Sequence, residues 1–453
     1  MRDKVLVANG QGFWGDSMLG PIRLVREGPL HYLTLDYLAE VTMSIMQKQK
    51  ARKPDTGYAT DFLRMLDRTL PELWAKKIKV VANAGGVNPQ ACRQAVLALA
   101  HKKGIRGLKV GIIEGDDILT RLPTLIAEGH PLANMDTGAP LSDVLDRVNS
   151  ANVYIGAKAV ADCLAAGADI VIGGRITDPA LVAGPLMYEF GWSPSDYHKL
   201  AAATVAGHIV ECGPQCSGGN FTAWQEVSDF VRIGYPIIEA APDGTFFVTK
   251  HAGTGGLIDK RTITAQLLYE MGDPSGYLGP DCTARFDTVR MEEVGKDRVR
   301  VFGIEGAPPP PTYKVSISYS NGWKALGQLT VAGPDAVAKA KLCAEIVFGR
   351  LALDGVTFEP HEKCVELVGS GVTLAGIVPA VDPPEVVLRL GVKHADQAKV
   401  DRFGTEIVPL VTSGPPGVTG YAGGRPKASE IVSYWPALLK RELVETTVHV
   451  EEV

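Results

Sequence analysis

The first half of the chain alternates short apolar runs with longer segments in which apolar residues recur every three or four positions. The short runs are typical of strands, and the longer segments are typical of amphipathic helices. Strands are predicted at residues 4–8, 79–82, 108–113 and 168–172, and helices at residues 33–50, 89–103 and 159–166. This alternation predicts an α/β fold with a mostly parallel sheet and helices on both of its faces.

The composition changes near residue 225, after which strand-like segments dominate. They are predicted at residues 231–238, 245–249, 299–303, 313–319 and 386–392, with helices at 262–271 and 334–353. The sequence thus predicts an α/β domain with glycine loops at its strand ends over residues 1–225. A more β-rich α+β domain over residues 226–453 is expected to complete the site. No fixed-period repeat is visible in the sequence, which argues against a solenoid or a propeller.

The loops that follow the predicted strands carry polar residues suited to a binding site. Right-handed crossovers between parallel strands bring such loops to one edge of the sheet, where α/β proteins build their sites. The polar residues in these loops are Asn9, Asn83, Asp116, Asp117, Arg175 and Asp178. We therefore expect a small-molecule site at the carboxyl ends of the strands.

The composition argues against several classes of function. With 45% hydrophobic and 21% charged residues among 453, the chain resembles an ordinary globular protein. A net charge of −5 and the lack of a basic block argue against nucleic acid as a partner. The apolar runs are too short for a membrane span or a signal peptide. The seven cysteines are scattered and do not suggest a disulfide framework, so a cytoplasmic location is expected.

A glycine-rich loop at residues 10–15 follows the first predicted strand and matches the spacing of a dinucleotide fingerprint through Gly10, Gly12 and a third glycine. That fingerprint requires a helix to begin directly at the third glycine, whereas here the helix is delayed. Asp36 and Glu40 lie at about the distance expected of a ribose-binding acid, a distance that chance also produces. We expect a ligand-binding or structural loop, and the chain shows no firm nucleotide or metal motif.

Two further strand-end loops carry candidate residues. The loop after the second predicted strand contains Asn83, Gly85, Gly86 and Asn88. Its N–H groups at a helix N-terminus can hold an anion, or the loop is a turn capped by Asn88. After the next strand, Asp116 is a candidate ligand for a substrate or a cation, and we expect one of Asp116 and Asp117 to cap the helix that follows.

Arg175 and Asp178 lie where a strand passes through a loop into a helix. Asp178 precedes a proline and is either the N-cap of that helix or a functional carboxylate that orients Arg175 or acts as a base. A guanidinium beside two glycines can bind a carboxylate or a phosphate through two hydrogen bonds. We expect Arg175 to contact the ligand.

His208, Glu211 and Cys212 are spaced to share one face of a later helix. His208 and Glu211 are candidates for proton transfer. Alternatively, His208 is a core histidine bonded to Glu211, or His208 and Cys212 are half of a zinc site with Cys216. The sequence offers no CxxC pair or second histidine cluster to complete tetrahedral zinc, so no metal residue is assigned.

A lysine and an asparagine in glycine-rich surroundings complete the candidate set. Lys250 ends a predicted strand before a loop that contains Gly253, Thr254 and Gly255, and it either faces a ligand anion or is solvated. Asn220 ends the polar run that follows Cys216 and is a further candidate for ligand binding. The order of a P-loop and the nucleophile elbow of an α/β-hydrolase are both missing from the sequence.

In combination these motifs resemble the acyclic terpene utilisation family, AtuA. The matching stretches between residues 10 and 281 read GQGFWGDS, DYLAEVTM, NAGGVNP, EGDD, GADIVIGGRITDPAL, GHIVECGPQCSGGNF, GTGG, QLLYEMGDP and GYLGPD. The resemblance implies a role in the breakdown of branched acyclic terpenes and related acids through CoA thioesters. Longer members of the family carry an additional small ferredoxin-like domain, so a separate small ferredoxin-like protein is an expected partner.

The expected function is that of an enzyme, a hydro-lyase acting on a branched carboxylate or acyl-CoA. His208, Glu211 and Asp178 are the expected catalytic residues, and Arg175 and Lys250 the expected anion-binding residues. One alternative is a non-catalytic acyl-CoA-binding or accessory subunit of a carboxylase or hydratase. Another is a metal- or nucleotide-dependent ligase or isomerase. A homo-oligomer is expected from the frequency of symmetric assemblies.

Overall fold

The structure is a computed structural model that describes residues 2–375, 377–420 and 424–453. The chain forms two compact units. The first extends from the N-terminus to Ser318 and includes Tyr434–Val453, and the second is Tyr319–Ser433. The division near residue 225 that composition predicts is not confirmed.

The helices of the first unit lie mostly between its strands along the chain. They are Leu19–Glu27 (α1), Glu40–Arg52 (α2), Thr60–Lys76 (α3), Pro89–Lys102 (α4), Leu122–Ala127 (α5), Ala157–Ala165 (α6), Ala180–Phe190 (α7), Tyr197–Glu211 (α8) and Lys260–Leu268 (α9). Those of the second unit are Ala336–Leu353 (α10), Gln397–Ile407 (α11) and Leu410–Ser413 (α12). None of the described helices is both long and apolar enough to cross a membrane.

The strands are short, apart from two long ones. The first fourteen are Val5–Asn9 (β1), Tyr32–Leu35 (β2), Lys79–Ala82 (β3), Lys109–Glu114 (β4), Val148–Val153 (β5), Ile170–Gly173 (β6), Ile237–Ala240 (β7), Phe246–Thr249 (β8), Tyr277–Leu278 (β9), Thr283–Arg285 (β10), Arg290–Gly295 (β11), Arg298–Phe302 (β12), Glu305–Ala307 (β13) and Thr312–Ala332 (β14). The others are Lys363–Val368 (β15), Glu385–His394 (β16), Val418–Thr419 (β17), Ser429–Lys440 (β18) and Thr447–Glu452 (β19).

A ten-stranded sheet organises the first unit, in the order β11-β12-β8-β7-β1-β2-β3-β6-β4-β19. Its five central strands, β1, β2, β3, β6 and β4, pair in parallel. The strands at both sides pair antiparallel. A large sheet with a parallel centre in a mixed α/β fold is therefore confirmed. Five strands that follow residue 225 in the chain belong to this same sheet.

Two of the predicted elements are wrong. The helix expected from residue 33 is preceded by strand β2, all four residues of which are buried. The spacing of apolar residues cannot distinguish a fully buried strand from a buried helical segment. In the structure the helix begins only at α2. The strand expected at 231–238 begins only at Ile237, because Gly234 and Pro236 interrupt the ladder before it.

The core of the first unit packs helices α3 and α4 against the central strands. Phe62, Met65 and Leu66 of α3 are fully buried together with Val80 of β3 and Ile112 of β4. Large apolar side chains buried in this way each contribute about 2–3 kcal/mol to folding. This packing fixes the strands, and therefore fixes the positions of the loops at their carboxyl ends.

The second unit has its own core. Strands β15, β16 and β14 pair antiparallel, with β16 in the middle. Helices α10 and α11 contribute Val347, Leu351 and Phe403 to a cluster with Leu388 and Leu390 of β16.

Candidate functional site

The carboxyl ends of the five parallel strands lie side by side at one edge of the sheet. The polar residues that end or closely follow these strands are Asn9 (β1), Asp36 (β2), Asn83 (β3), Asp116 (β4) and Arg175 (β6). All five are buried. The structure thus brings together four of the residues expected at this edge and adds Asp36.

Asn9 attaches the end of helix α8 to this edge. Its Nδ2 donates to the carbonyl oxygens of Gln11 (2.9 Å), Val210 (3.2 Å) and Glu211 (2.7 Å). The last carbonyls of a helix lack intrahelical partners, and Asn9 supplies one. Asn9 therefore positions α8, which carries His208 and Glu211.

Asp36 and Asn83 form a buried pair. Asn83 Nδ2 donates to Asp36 Oδ1 over 2.6 Å, and its Oδ1 accepts from the backbone N–H of Tyr37 over 2.7 Å. Burial raises the pKa of Asp36 well above its usual range, and the negative charge of Asp178 raises it further, while Arg175 opposes the shift. Asp36 is therefore part of the same electrostatic cluster as Arg175 and Asp178.

Asp116 clamps the loop that carries Arg175. Its Oδ2 accepts from the backbone N–H of Arg175 (2.8 Å) and from Asn152 Nδ2 (2.9 Å). A side chain at Gly174 would place its Cβ 2.3 Å from the same oxygen. Asp116 is used by the fold itself, and Asp117 caps the turn after it by accepting from the N–H of Leu119 over 3.0 Å.

The Asp116 clamp predicts a specific pH dependence of stability. Burial raises the pKa of Asp116 to about 6 from 3.8, so the folded protein holds this proton more tightly than the unfolded chain. The contribution of Asp116 to stability is therefore present below about pH 4 and is lost as the pH rises towards 6. Urea titrations should show the free energy of unfolding of the wild type falling, relative to Asp116→Asn, by about 2–3 kcal/mol across that window. A difference that does not change with pH would contradict the assignment.

Arg175 and Asp178 form an ion pair at the start of α7. Arg175 Nη1 lies 3.1 Å from Asp178 Oδ1, and the exposed fraction of the side chains is 3% for Arg175 but 33% for Asp178. The guanidinium carbon lies 4.4 Å from the centre of the Tyr154 ring. Asp178 does not cap α7 through its side chain. Arg175 thus holds Asp178, and the carboxylate is the member of the pair that solvent reaches.

His208 and Glu211 form a second pair, which is buried. His208 Nδ1 lies 2.9 Å from Glu211 Oε1, and Nε2 lies 3.0 Å from the carbonyl oxygen of Gln266. Burial alone would lower the pKa of His208, but the Glu211 carboxylate outweighs it and the net shift is upward. Burial raises the pKa of Glu211 to about 7 against the attraction of His208, and Asp178 and Glu270 add to the rise. The pair therefore holds a proton near neutral pH.

A cavity of about 410 Å³ opens beside Asp178. Its lining residues are Met135, Tyr154, Thr177, Asp178, Pro179, Ala180, Thr204, Glu270, Tyr277, Leu278, Gly279, Pro280, Asp281, Pro310, Thr312, Tyr313, Lys314 and Leu438. We name it the Asp178 cavity. It combines an apolar wall with three carboxylates, three tyrosines and one exposed lysine, and its volume suits a small organic molecule.

Arg175 and His208 do not line this cavity, contrary to the expectation that both face one pocket. Each contacts a residue that does. Arg175 contacts Asp178 and Tyr154, and the His208 ring lies 6.0 Å from the ring of Tyr277. Both side chains are buried, and each contacts the cavity lining only through these neighbours.

The predicted glycine loops are close-packed against the chain itself. A Cβ at Gly10 would lie 2.8 Å from Pro21 Cβ, and one at Gly85 would lie 2.7 Å from the carbonyl oxygen of Gly173. Gly12 is similarly tight against the backbone of Cys212, and Gly86 adopts φ of +54° against Met46. Asn88 caps α4 by accepting from the N–H of Ala91 over 3.4 Å, which is the structural alternative for this loop.

Lys250 and its loop lie apart from the Asp178 cavity. Lys250 Nζ is 3.0 Å from Asp297 Oδ2 and donates to the carbonyl oxygen of Thr254 over 3.0 Å. The backbone N–H of Gly255 donates to the carbonyl oxygen of Arg232, and Gly253 lies in the same turn. Asn220 is exposed with φ of +58°. Among the described residues, none of these predicted ligand contacts lines that cavity.

Several lining residues escaped the sequence reasoning. Glu270 and Tyr277 follow α9, Tyr154 follows β5 and Lys314 lies in β14. The sequence contains a signal for Glu270 and Tyr277, because both lie within the family-like stretches QLLYEMGDP and GYLGPD.

Within the described part of the chain, no group of three or more His, Cys, Asp or Glu residues is arranged to hold a metal ion. The side chain of Glu40, considered above as a ribose acid, lies outside the described structure.

Comparison with known families gives a match over nearly the whole chain. The sequence model described as acyclic terpene utilisation family protein AtuA matches residues 5–450. The chain belongs to the AtuA family. The match includes the strand-end loops, the Arg175–Asp178 turn and the segment that carries Glu270 and Tyr277. No curated protein and no solved structure is significantly similar to the chain.

Proposed function

We propose that this AtuA-family chain is a catabolic hydro-lyase, a hydratase or dehydratase, that acts on a branched carboxylate or acyl-CoA in the Asp178 cavity. The observation that carries the proposal is the composition of that cavity. Asp178 and Glu270 reach it together with Lys314, while Leu278, Leu438 and several prolines supply apolar surface. Such a space receives an apolar branched chain and offers it an acid, a base and a cation.

The chemistry requires two proton transfers. In dehydration, a base removes the proton from the carbon next to the carbonyl, and an acid protonates the departing hydroxyl, so that water leaves and a C=C bond forms. Hydration is the reverse. Asp178 is the proposed base and Glu270 the proposed acid, because both carboxylates reach the same cavity.

His208 and Glu211 do not line the Asp178 cavity, but they are close enough to interact with its carboxylates. The negative charges of Asp178 and Glu270 both raise the pKa of Glu211, so the protonation of the His208–Glu211 pair depends on the charges of these two cavity residues. When Asp178 takes a proton, the repulsion on Glu211 falls. The pair is the proposed proton reservoir, in agreement with its holding a proton near neutral pH.

Arg175 is a positioning residue in this proposal. Its guanidinium lies against the ring of Tyr154 and pairs with Asp178, and it does not reach the cavity. A planar guanidinium that is stacked and paired has little freedom to move. It therefore holds the Asp178 carboxylate in one orientation towards the substrate.

Lys314 is the proposed partner of the substrate carbonyl or carboxylate oxygen. Its Nζ lies 5.3 Å from the centre of the Tyr154 ring, at the same cavity. Replacement by methionine keeps the length of the side chain but removes the charge that faces the oxygen on which negative charge develops during proton removal, so kcat/KM should fall roughly tenfold or more. Steady-state kinetics of Lys314→Met beside the exposed control Lys296→Met checks this, and equal kcat/KM values in the two variants would contradict it.

The experiment that tests the function is a turnover assay coupled to a binding assay. Branched 2-enoyl and 3-hydroxyacyl compounds, as free acids and as thioesters, are incubated with the protein and followed by NMR for gain or loss of water. We expect turnover of at least one branched compound. Thermal stabilisation by these compounds without any turnover would instead identify a non-catalytic binding or accessory subunit.

A further inference from the structure

A second cavity, of about 250 Å³, adjoins the first. It is lined by Ile155, Gly156, Lys158, Ala159, Met187, Pro194, Tyr197, Leu200, Pro280, Asp281, Pro309, Tyr313, Arg441 and Thr446. Pro280, Asp281 and Tyr313 also line the Asp178 cavity. The two spaces therefore share a wall, and we name the second one the Arg441 cavity.

Arg441 is held rigidly in this wall with one donor group unused. Its guanidinium carbon lies 4.1 Å from the centre of the Tyr313 ring, and Nη2 donates to the Tyr313 hydroxyl over 3.0 Å. Nη1 is buried and makes no hydrogen bond to any described residue. A buried charged donor without an acceptor is costly, so an oxygen atom is the expected occupant next to Nη1.

The lining of the Arg441 cavity contains two cationic side chains and one carboxylate. Lys158 also lines the cavity, with 60% of its side chain exposed and its Nζ 2.6 Å from Asp162. The one carboxylate in the lining, Asp281, already accepts from the backbone N–H of Ala157 with both of its oxygens, at 2.9 and 2.8 Å. Asp281 is therefore used in capping α6. The positive charge of Arg441 opposes the rise in the Asp281 pKa that burial causes, so the two charges partly balance, while Arg441 Nη1 remains without an acceptor.

We propose that the Arg441 cavity binds an oxyanion, a phosphate or a carboxylate, and that this is the distal anionic group of the substrate whose reacting part occupies the Asp178 cavity. The first half of the proposal stands on the unused Arg441 donor and the cationic lining. The second half rests on the proposed function and on the shared wall. It defines the substrate as an elongated molecule with an apolar branched part at one end and an oxyanion at the other.

Calorimetric titration with inorganic phosphate and with acetate tests the oxyanion site. The variants are Arg441→Met and, as a matched control, Arg300→Met, since Arg300 also stacks on an aromatic ring, that of Phe302, at 4.7 Å. We expect at least one of the two anions to bind the wild type and the control alike, and Arg441→Met to weaken that binding roughly tenfold or more. The anion that binds more tightly identifies the group. Equal binding in Arg441→Met, or no binding of either anion to the wild type, would overturn the proposal.

Two further measurements keep the test decisive. If Arg441→Met does not fold, Arg441→Lys retains the charge but not the guanidinium fork, and it should bind the anion more weakly than the wild type does but still measurably.

Hexyl phosphate and hexanoate should bind more tightly than phosphate and acetate, because the hexyl chain reaches the Asp178 cavity. The substitution Leu278→Asn should reduce this gain in affinity. If the hexyl chain improves binding to Leu278→Asn as much as to the wild type, the proposal that one molecule occupies both cavities is wrong. These are binding readouts, so a failure of the turnover assay alone would reject the hydro-lyase and leave the oxyanion site standing.

Discussion

Asp178→Asn is expected to lower kcat by roughly 10²- to 10⁴-fold, which is the usual contribution of a general base. Asparagine has nearly the same shape and still accepts a hydrogen bond from Arg175, but it cannot take a proton from carbon. The variant should still fold but with a lower melting temperature, because the buried Arg175 guanidinium loses the charge of its ion-pair partner, so kcat is measured on the folded fraction. NMR-monitored turnover of a branched 2-enoyl thioester, together with thermal melting, gives both quantities.

The control for this variant is Asp117→Asn. Asp117 also follows a central strand, but it accepts from the N–H of Leu119 and does not line the Asp178 cavity among the described residues. It should retain wild-type kcat. Comparable losses in the two variants would mean that the sheet edge is merely sensitive to substitution, and Asp178 would lose its role as the base.

Gly207→Ala is expected to destabilise the protein and to lower activity at the same time. Gly207 lies in α8, one residue before His208, and a Cβ there would lie 2.5 Å from Pro179 Cα. Overpacking of this kind costs about 1–3 kcal/mol. Pro179 follows Asp178 directly, so the displaced backbone moves the carboxylate, and a shift of about 1 Å can cost roughly 10²-fold in rate.

A matched control again exists within the chain. Gly349 lies inside helix α10, and a Cβ added there meets no heavy atom within 4 Å. Gly349→Ala should therefore raise the free energy of unfolding by up to about 1 kcal/mol, because alanine is the better helix former. Denaturant titrations of both variants, with activity measured on the folded fraction, check the pair. A Gly207→Ala variant as stable and as active as the wild type would show that α8 and the Asp178 turn are not coupled.

The sequence predicts the part of the site that depends on parallel strands. Asn9, Asn83, Asp116 and Arg175 meet at one edge because each closely follows, or ends, a strand of the same parallel group. Apolar runs locate those strands, and topology then places their ends together. What the pattern does not determine is the direction of each side chain. Asn9 and Asp116 turned out to bind backbone groups, and Arg175 to bind Asp178.

The other half of the site could not be derived in the same way. Glu270, Tyr277 and Lys314 come from a segment after α9, from a two-residue strand and from a long strand, and no periodicity aligns them with the sheet edge. Lys250 shows the converse. Its glycine loop suggested an anion site, but Asp297, distant in the sequence, supplies the partner that a local motif cannot reveal. Side-chain pairs across long sequence separations depend on tertiary packing, which a single sequence does not display.

A crystal structure of the protein with a non-reactive branched acyl thioester would locate the substrate directly. We expect the branched acyl group to lie in the Asp178 cavity, with its carbonyl oxygen near Lys314 and the carbon next to the carbonyl facing the Asp178 carboxylate. A thioester bound instead beside Lys250 and the turn at Gly253, with the Asp178 cavity left to solvent, would contradict this expectation.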